Sequence, residues 1–145
     1  MNLVARIGIL GLALGLWVAA APWPSTAADV ASRTFDTPMD RVWTVTESTL
    51  KRLGWDIDTY DRAVGWILTD PRAATDSKEF AVYGKGLRHK LRISLKVLGP
   101  SRTTVSVERD VYEEKRVLWM IERKPVAPAD QMVETGILEA IQQGL

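Results

Sequence analysis

The sequence predicts an α+β domain in which an antiparallel β-sheet carries helices packed on one face. Amphipathic helical segments lie near residue 40 and near the end of the chain, and segments with alternating apolar and polar residues lie between them. The predicted order of elements is β-α-β-β-(β)-β-β-α, in which the strand in parentheses is a short, frayed edge strand. A chain of 145 residues has room for one such domain.

The first helix has a marked start and a marked end. Thr37 is the predicted N-cap, Pro38 occupies the first helical position, and Asp40 completes a capping pattern. Gly54 ends the helix because glycine readily adopts the left-handed conformation of a Schellman motif. Residues at helical spacing predict one buried stripe: Met39, Val42, Trp43, Thr46, Leu50 and Leu53.

A β-hairpin is predicted directly after this helix. Apolar and polar residues alternate over residues 55–60, a polar turn covers residues 61–63, and the alternation resumes over residues 64–69. In this pattern Trp66 and Leu68 face the core. The two strands are expected to be antiparallel neighbours.

The clearest strand pattern belongs to a second, longer hairpin. Inward-facing apolar residues alternate with polar ones over residues 89–97 and again over residues 103–110, with a Gly-Pro-Ser turn between them. One register aligns opposite charges on the outer face and aliphatic side chains on the inner face. It pairs Val97 with Thr103, Leu95 with Val105, Ile93 with Val107, Arg92 with Glu108, and Lys90 with Asp110.

The remaining segments have less regular patterns. Residues 72–78 are predicted to be a loop, and residues 80–86 are the frayed edge strand. For residues 113–124 strand, helix and loop all remain open, because a solid apolar run has no diagnostic period. A final helix begins near Ala129. Its predicted buried stripe is Met132, Val133, Gly136, Ile137, Ala140 and Ile141.

The first 28 residues have the layout of a secretory signal peptide. Arg6 precedes an unbroken apolar stretch over residues 7–21, which is too short to span a membrane easily and is followed by prolines. We predict cleavage after Ala27 or Ala28, with residues 19–21 (AAA) as a competing cleavage site. Cleavage after Ala28 leaves a single domain over residues 29–145. The alternative is an uncleaved signal anchor with tryptophans at the membrane interface.

The composition excludes several classes of function. The chain has 19 basic and 18 acidic residues, one histidine and no cysteine. A net charge of +1 gives no general attraction for nucleic acid. The absence of cysteine excludes disulfides, thiolate metal sites and attachment of lipid to a cysteine. Many small exported proteins are stabilised by disulfides, which this chain cannot form. The sequence therefore indicates a bacterial envelope protein whose hydrophobic core is sufficient to keep it folded.

Three sequence segments resemble a known family of envelope proteins. Residues 35–43 (FDTPMDRVW), 53–55 (LGW) and 60–67 (YDRAVGWI) are similar to the domains of BamC/NlpB, the accessory lipoprotein of the outer-membrane β-barrel assembly machine. The resemblance covers most of residues 33–111, with a weaker similarity over residues 136–141. It implies a helix-grip fold and a periplasmic protein-binding module, and it brings no catalytic residues with it.

A predicted docking surface combines local positive charge with an aromatic anchor. It consists of Lys85, Arg88, Lys90, Arg92 and Trp119. The expected partner is an acidic protein surface or lipid head groups. The alternative is that Glu108 and Asp110, across the long hairpin, neutralise the basic side chains. For Trp119, the alternative is that its side chain caps the core.

The other polar candidates favour structural roles. As the single histidine, His89 cannot form a multi-histidine zinc site, and we expect it to be a packing or hydrogen-bonding residue. Asp56, Asp58 and Asp61 lack the glycine and distal glutamate of a calcium loop and are expected to be solvated. The sequence GKG at residues 84–86 is too short for a phosphate-binding loop. No metal or cofactor is predicted.

The predicted function is a non-enzymatic protein-interaction module of the periplasm, in outer-membrane protein assembly or envelope maintenance. The expected partners are envelope proteins and not nucleic acid. Membrane contact is expected only peripherally or through an uncleaved signal anchor. The alternative is a carrier of a small apolar ligand, with a pocket between the sheet and the C-terminal helix lined by Trp66, Ile93 and Leu95.

Overall fold

The computed structural model of the chain describes residues 30–75 and 77–145, so the predicted leader lies outside the described residues. Within these residues seven antiparallel strands form one sheet accompanied by helices, which confirms the α+β class. The elements are β1 (Ala31–Phe35), α1 (Met39–Arg52), β2 (Ile57–Asp61), β3 (Trp66–Thr69), β4 (Arg72–Ala73), α2 (Phe80–Tyr83), a 3₁₀ turn (Gly84–Gly86), β5 (Leu87–Gly99), β6 (Arg102–Val117), β7 (Met120–Val126) and α3 (Met132–Gly144). None of the described helices is long and apolar enough to cross a membrane.

The long strand β6 organises the sheet. The strand order is β1-β6-β5-β3-β2, with β4 paired to β5 and β7 paired to β6. β1 lies beside residues 103–107 of β6, and β7 lies beside residues 111–117 on the same edge. The sheet is therefore extended at one end by β7 and by the far half of β6.

The hairpin of β5 and β6 has the predicted register throughout. Val97 pairs with Thr103, and Ile93 pairs with Val107. On the outer face, Arg92 lies opposite Glu108, as the alignment of opposite charges requires. A shift by one residue would have placed the aliphatic side chains in water, which explains why the sequence defines this register.

The main core lies between the sheet and the helices α1 and α3. Its buried residues include Phe35, Val42, Trp43, Leu50, Trp55, Ile67, Leu91, Ile93, Leu95, Val105, Val107, Ile137, Leu138 and Ile141. A smaller cluster of Ala74, Leu87 and Val111 lies at the end of the sheet where β7 begins, with Phe80 and Val126 packed against it. The helices thus cover one face of the sheet and leave the other face open.

Helix α1 ends as predicted but begins differently. Gly54 has φ +78°, and the Trp55 amide donates a hydrogen bond to the Leu50 carbonyl at 2.9 Å, which is the expected Schellman geometry. At the other end Pro38 is the N-cap, with no side-chain hydrogen bond. The predicted cap at Thr37 is therefore wrong, since Thr37 lies one residue before the N-cap. Its carbonyl accepts a hydrogen bond from the Thr103 hydroxyl at 3.0 Å, which connects the start of the helix to β6.

Strand β3 turns the opposite face toward the core from the one predicted. Ile67 and Thr69 are buried, whereas Trp66 and Leu68 are only half-buried and lie on the open face. Pairing with β5 explains the difference: Ile67 lies opposite the core residue Ile93, so the pleat directs Trp66 to the other side. The core position predicted for Trp66 is therefore wrong.

Two further predictions are corrected near the small cluster. Residues 80–86 are helical turns, α2 and the 3₁₀ turn, and the short edge strand is β4 at residues 72–73, within the predicted loop. Residues 113–124, for which the sequence allows strand, helix or loop, belong to β6, a two-residue turn and β7. In α3, Glu134 and Leu138 are buried, whereas Met132 is exposed.

Candidate interaction surface

The hairpin formed by β6 and β7 extends past the rest of the sheet. β5 pairs with β6 only as far as Glu113, which lies opposite Leu87. From Glu114 to Val117, β6 has a strand partner on one side only, namely β7. The outer edge of β7 pairs with no strand in the part of the chain that the structure describes. The hairpin therefore ends as a two-stranded ribbon, which we call the ribbon.

The end of the ribbon is apolar and exposed. We call its five consecutive apolar residues the apolar tip: Val117, Leu118, Trp119, Met120 and Ile121. All five are exposed, with 83% of the surface of Trp119 and 79% of that of Leu118 accessible to solvent. The alternative in which Trp119 caps the core is therefore wrong. Contiguous exposed apolar residues of this kind typically mark an interaction site.

The turn of the ribbon holds a large side chain in an unfavourable backbone conformation. Leu118 and Trp119 connect the paired residues Val117 and Met120, and Leu118 has φ +58°. Glycine, asparagine or aspartate normally occupies such a position, and a side chain like leucine costs about 1–2 kcal/mol there. Among the described residues, Leu118 is the one non-glycine residue with positive φ. Strain of this kind clusters at functional sites, which supports a role for the apolar side chain.

Paired charges follow the apolar tip along the ribbon. Lys115 lies opposite Glu122 across the two strands, and Glu114 lies opposite Arg123 with an ion pair of 3.1 Å. Lys115 also forms an ion pair of 3.0 Å with Glu113 on its own strand. Residues 113–124 hold four basic and three acidic side chains, so the net charge of the ribbon is +1. Glu113 likewise lies opposite Lys124, so six of the seven charges face an opposite charge and Arg116 lies opposite Ile121. The apolar tip is therefore the distinctive surface of the ribbon.

A buried group of charges fixes the base of the ribbon. Arg109, on the inner face of β6, donates hydrogen bonds of 3.3 Å to the carboxylates of Glu79 and Glu134 and one of 3.0 Å to the Asp130 carbonyl. The side chains of Arg109, Glu79 and Glu134 are at most 5% exposed. The Ala129 amide also donates to Glu79. The segment from β7 to α3 is therefore held against β6 by Arg109 and Glu79.

Hydrogen bonds keep the Glu79 carboxylate charged in this buried setting. Burial raises the pKa of Glu79, but the hydrogen bond from the Ala129 amide and the Arg109 guanidinium lower it, and the net pKa lies below the ordinary 4.5. At the rim, a hydrogen bond from Lys78 lowers the pKa of Asp130. Both acids are therefore ionised at neutral pH.

The predicted docking residues do not form one surface. Arg88, Lys90 and Arg92 share the open face of β5, and Lys85 lies exposed in the 3₁₀ turn. Trp119 is at the apolar tip, beyond Val117, which lies about 17 Å along β6 from Tyr112, the residue opposite Arg88.

The acidic neighbours of the open face neutralise part of its charge, as the alternative proposed. Arg92 forms ion pairs of 3.4 Å with Glu108 and 3.9 Å with Asp110. Lys90 lies opposite Asp110 in the sheet register. Of the predicted docking residues, Trp119 is therefore the one whose environment most clearly suits docking.

The predicted ligand pocket is not formed. Ile93 and Leu95 are buried beneath the helices, whereas Trp66 lies on the open face beside Leu68 and Arg92. A depression of about 510 Å³ beside the turn from β2 to β3 includes Trp66 and Leu95 but neither Ile93 nor any residue of α3. The three side chains therefore do not line one cavity between the sheet and α3.

The remaining candidates have structural roles. His89 is fully buried, its ring lies 4.8 Å from that of Trp55, and it accepts a hydrogen bond from Arg72. Asp56 and Asp58 are exposed, while Asp61 accepts a hydrogen bond from the Val64 amide in the turn after β2. His89 is thus a buried packing and hydrogen-bonding residue, as predicted.

Comparisons with known proteins do not identify a family. No protein-family model matches the chain, and no curated protein matches it. Among solved structures, the chain is similar to the adenylate sensor from AMP-activated protein kinase in complex with the ribofuranotide ZMP. That match has 11% identity and a TM-score of 0.44, and it covers 79% of this chain and 92% of the other. A similarity at this level carries no argument about fold or function.

Proposed function

We propose that the chain is a non-enzymatic binding module of the bacterial envelope that docks through the apolar tip. The observation that carries this proposal is the exposure of five consecutive apolar residues at the end of the ribbon. A soluble domain gains nothing in stability from such a surface, and an exposed apolar edge favours aggregation. When these side chains are buried against a partner, they contribute binding energy instead.

The base of the ribbon suits a docking role. Two strands on a rigid sheet present the apolar tip, and the buried Arg109 and Glu79 fix the chain where β7 leaves the sheet. A preorganised element loses little conformational entropy when it binds. The periplasmic location in this proposal comes from the predicted leader, and the resemblance to BamC/NlpB adds a role in outer-membrane protein assembly or envelope maintenance.

Photocrosslinking in living cells tests this function. A photoreactive amino acid in place of Trp119 is expected to form covalent adducts with an envelope component, because the docked side chain lies against it. Adducts are detected as a mass shift of the purified chain.

Val64 offers a matched control, since it is also apolar and is 72% exposed in the turn from β2 to β3, at the other end of the sheet. The same photoreactive group at Val64 should yield no comparable adduct. Identical adducts from the two positions, or none from position 119, would contradict docking through the apolar tip.

A further inference from the structure

We infer that the partner of the apolar tip is a lipid bilayer, into whose interfacial region the tip inserts. This inference rests on the proposed function and names the chemistry of its partner. The distribution of apolar and charged residues along the ribbon and the chemistry of the tip side chains both support it.

The apolar length of the ribbon matches the depth of an interfacial insertion. The turn is followed by the pair of Val117 with Met120, then by Arg116 with Ile121, and then by the charged pair of Lys115 with Glu122. The first charge, Arg116, therefore lies two strand residues, about 7 Å, from the turn, and the charged pair lies about 10 Å from it. Interfacial elements bury their apolar part about 5–10 Å deep, which leaves these charges at the level of the head groups.

The side chains of the tip suit lipid better than a protein groove. Protein interfaces typically combine an apolar centre with about ten hydrogen bonds. The tip side chains carry one hydrogen-bonding group, the indole N–H of Trp119. Tryptophan is the residue enriched at membrane interfaces, where its ring is apolar and its N–H remains hydrated. The net charge of +1 on residues 113–124 also offers little complementarity to an acidic protein surface.

A fluorescent label tests the insertion directly. The chain has no cysteine, so Trp119→Cys provides one site for an environment-sensitive NBD label. With vesicles of phosphatidylethanolamine and phosphatidylglycerol, the label at position 119 should show a blue shift and brighter emission, and lipids brominated in the acyl chain should quench it. The matched label at Val64→Cys should show neither change. With vesicles of phosphatidylcholine alone the same shift is expected, with binding at most about fivefold weaker, because the ribbon carries one net charge.

A second variant tests whether the apolar side chains of the tip cause the blue shift of the label. In the chain labelled at position 119, Leu118→Ser with Ile121→Ser should weaken vesicle binding by at least about tenfold, since two exposed apolar side chains no longer enter lipid. An unchanged melting temperature shows that the variant remains folded.

Each other outcome contradicts a different claim. No shift at position 119, in a chain whose position 119 still crosslinks to a protein in cells, overturns the lipid inference and leaves the proposed function intact. No shift together with no crosslink overturns both. Equal shifts at positions 64 and 119 show general adsorption to vesicles and overturn the assignment of the tip.

Discussion

Replacing Arg109 with methionine is expected to lower the free energy of unfolding by about 3–5 kcal/mol. Methionine keeps much of the side-chain volume, so the main effect is electrostatic. Without the guanidinium, the buried carboxylates of Glu79 and Glu134 lose the positive charge that lies 3.3 Å from each of them. Because both side chains are at most 5% exposed, water does not replace the lost partner. Urea unfolding of the two proteins at neutral pH measures the difference.

Two control variants distinguish the cost of leaving a buried charge without its partner from the cost of losing an exposed ion pair. Arg92→Met breaks ion pairs with Glu108 and Asp110 that lie in solvent, and it should change the stability by no more than about 1 kcal/mol. Adding Glu79→Gln and Glu134→Gln to Arg109→Met should restore part of the loss, since no carboxylate then remains buried. A similar small effect for the Arg92 and Arg109 variants would contradict the structural role of the buried charges.

Acid is expected to act on the same group of charges. The pKa of Glu79 is lower in the folded chain than its ordinary value of 4.5, so its carboxylate stabilises the fold above that pH. The contribution is lost as the pH falls through the folded pKa, where Glu79 takes up a proton. Glu79→Gln should flatten the dependence of stability on pH below about 4.5.

Gly65→Ala is expected to destabilise the domain by about 3–4 kcal/mol. Gly65 has φ +91°, and a Cβ atom on it would lie 2.4 Å from the carbonyl oxygen of Leu95. That carbonyl belongs to the central strand β5, whose backbone is paired on both sides and has little freedom to move. The substitution also disturbs the hydrogen bond of 2.7 Å from the Leu95 amide to the Gly65 carbonyl.

Variants at two other glycines distinguish the cost of backbone strain from the cost of a steric clash. Gly54 has φ +78°, but a Cβ atom there would meet only the flexible Arg72 side chain at 3.5 Å, so Gly54→Ala should cost about 1–2 kcal/mol. Gly99 has neither a positive φ nor an atom within 4 Å of its Cβ position, and Gly99→Ala should be nearly neutral. Equal stability of the Gly65 and Gly99 variants in thermal unfolding would contradict the close approach of the β2–β3 turn to β5.

The sequence predicts the fold best where a local pattern and a tertiary contact agree. In the long hairpin, the pairing of Arg92 with Glu108 and of Ile93 with Val107 supports one register from both faces, and that register is observed. At Gly54, the demand for a left-handed residue and the apolar Trp55 after it point to the same helix end. Such redundant signals leave few alternatives.

Prediction from the sequence fails where the pattern of apolar residues is compatible with two different structures. The segment Trp66–Thr69 (WILT) has large apolar residues on both faces, so alternation alone does not tell which face is buried. Pairing of Ile67 with Ile93 decides it, and that contact joins residues distant in sequence. Similarly, the apolar run at residues 117–121 has no period, and only the pairing of β7 with β6 shows that it is an exposed turn.

The buried charges were missed although the sequence contains a sign of them. Arg109 follows Val105 and Val107 at the spacing of inward-facing residues and precedes Val111, so the alternation places a basic side chain on the core face. A buried arginine requires acidic partners. Glu79 directly precedes the predicted edge strand and is in fact the N-cap of helix α2, and Glu134 falls outside the stripe expected for the last helix. The partners are therefore visible only in three dimensions.

The accessibility of a single cysteine at position 119 tests the central claim most directly. In the purified chain, Trp119→Cys should react rapidly with a small hydrophilic maleimide, because the side chain at this position is exposed. In intact cells, docking of the apolar tip should protect position 119, while Val64→Cys reacts in both settings. Equal reactivity of positions 119 and 64 in cells would contradict an envelope-binding module that docks through its apolar tip.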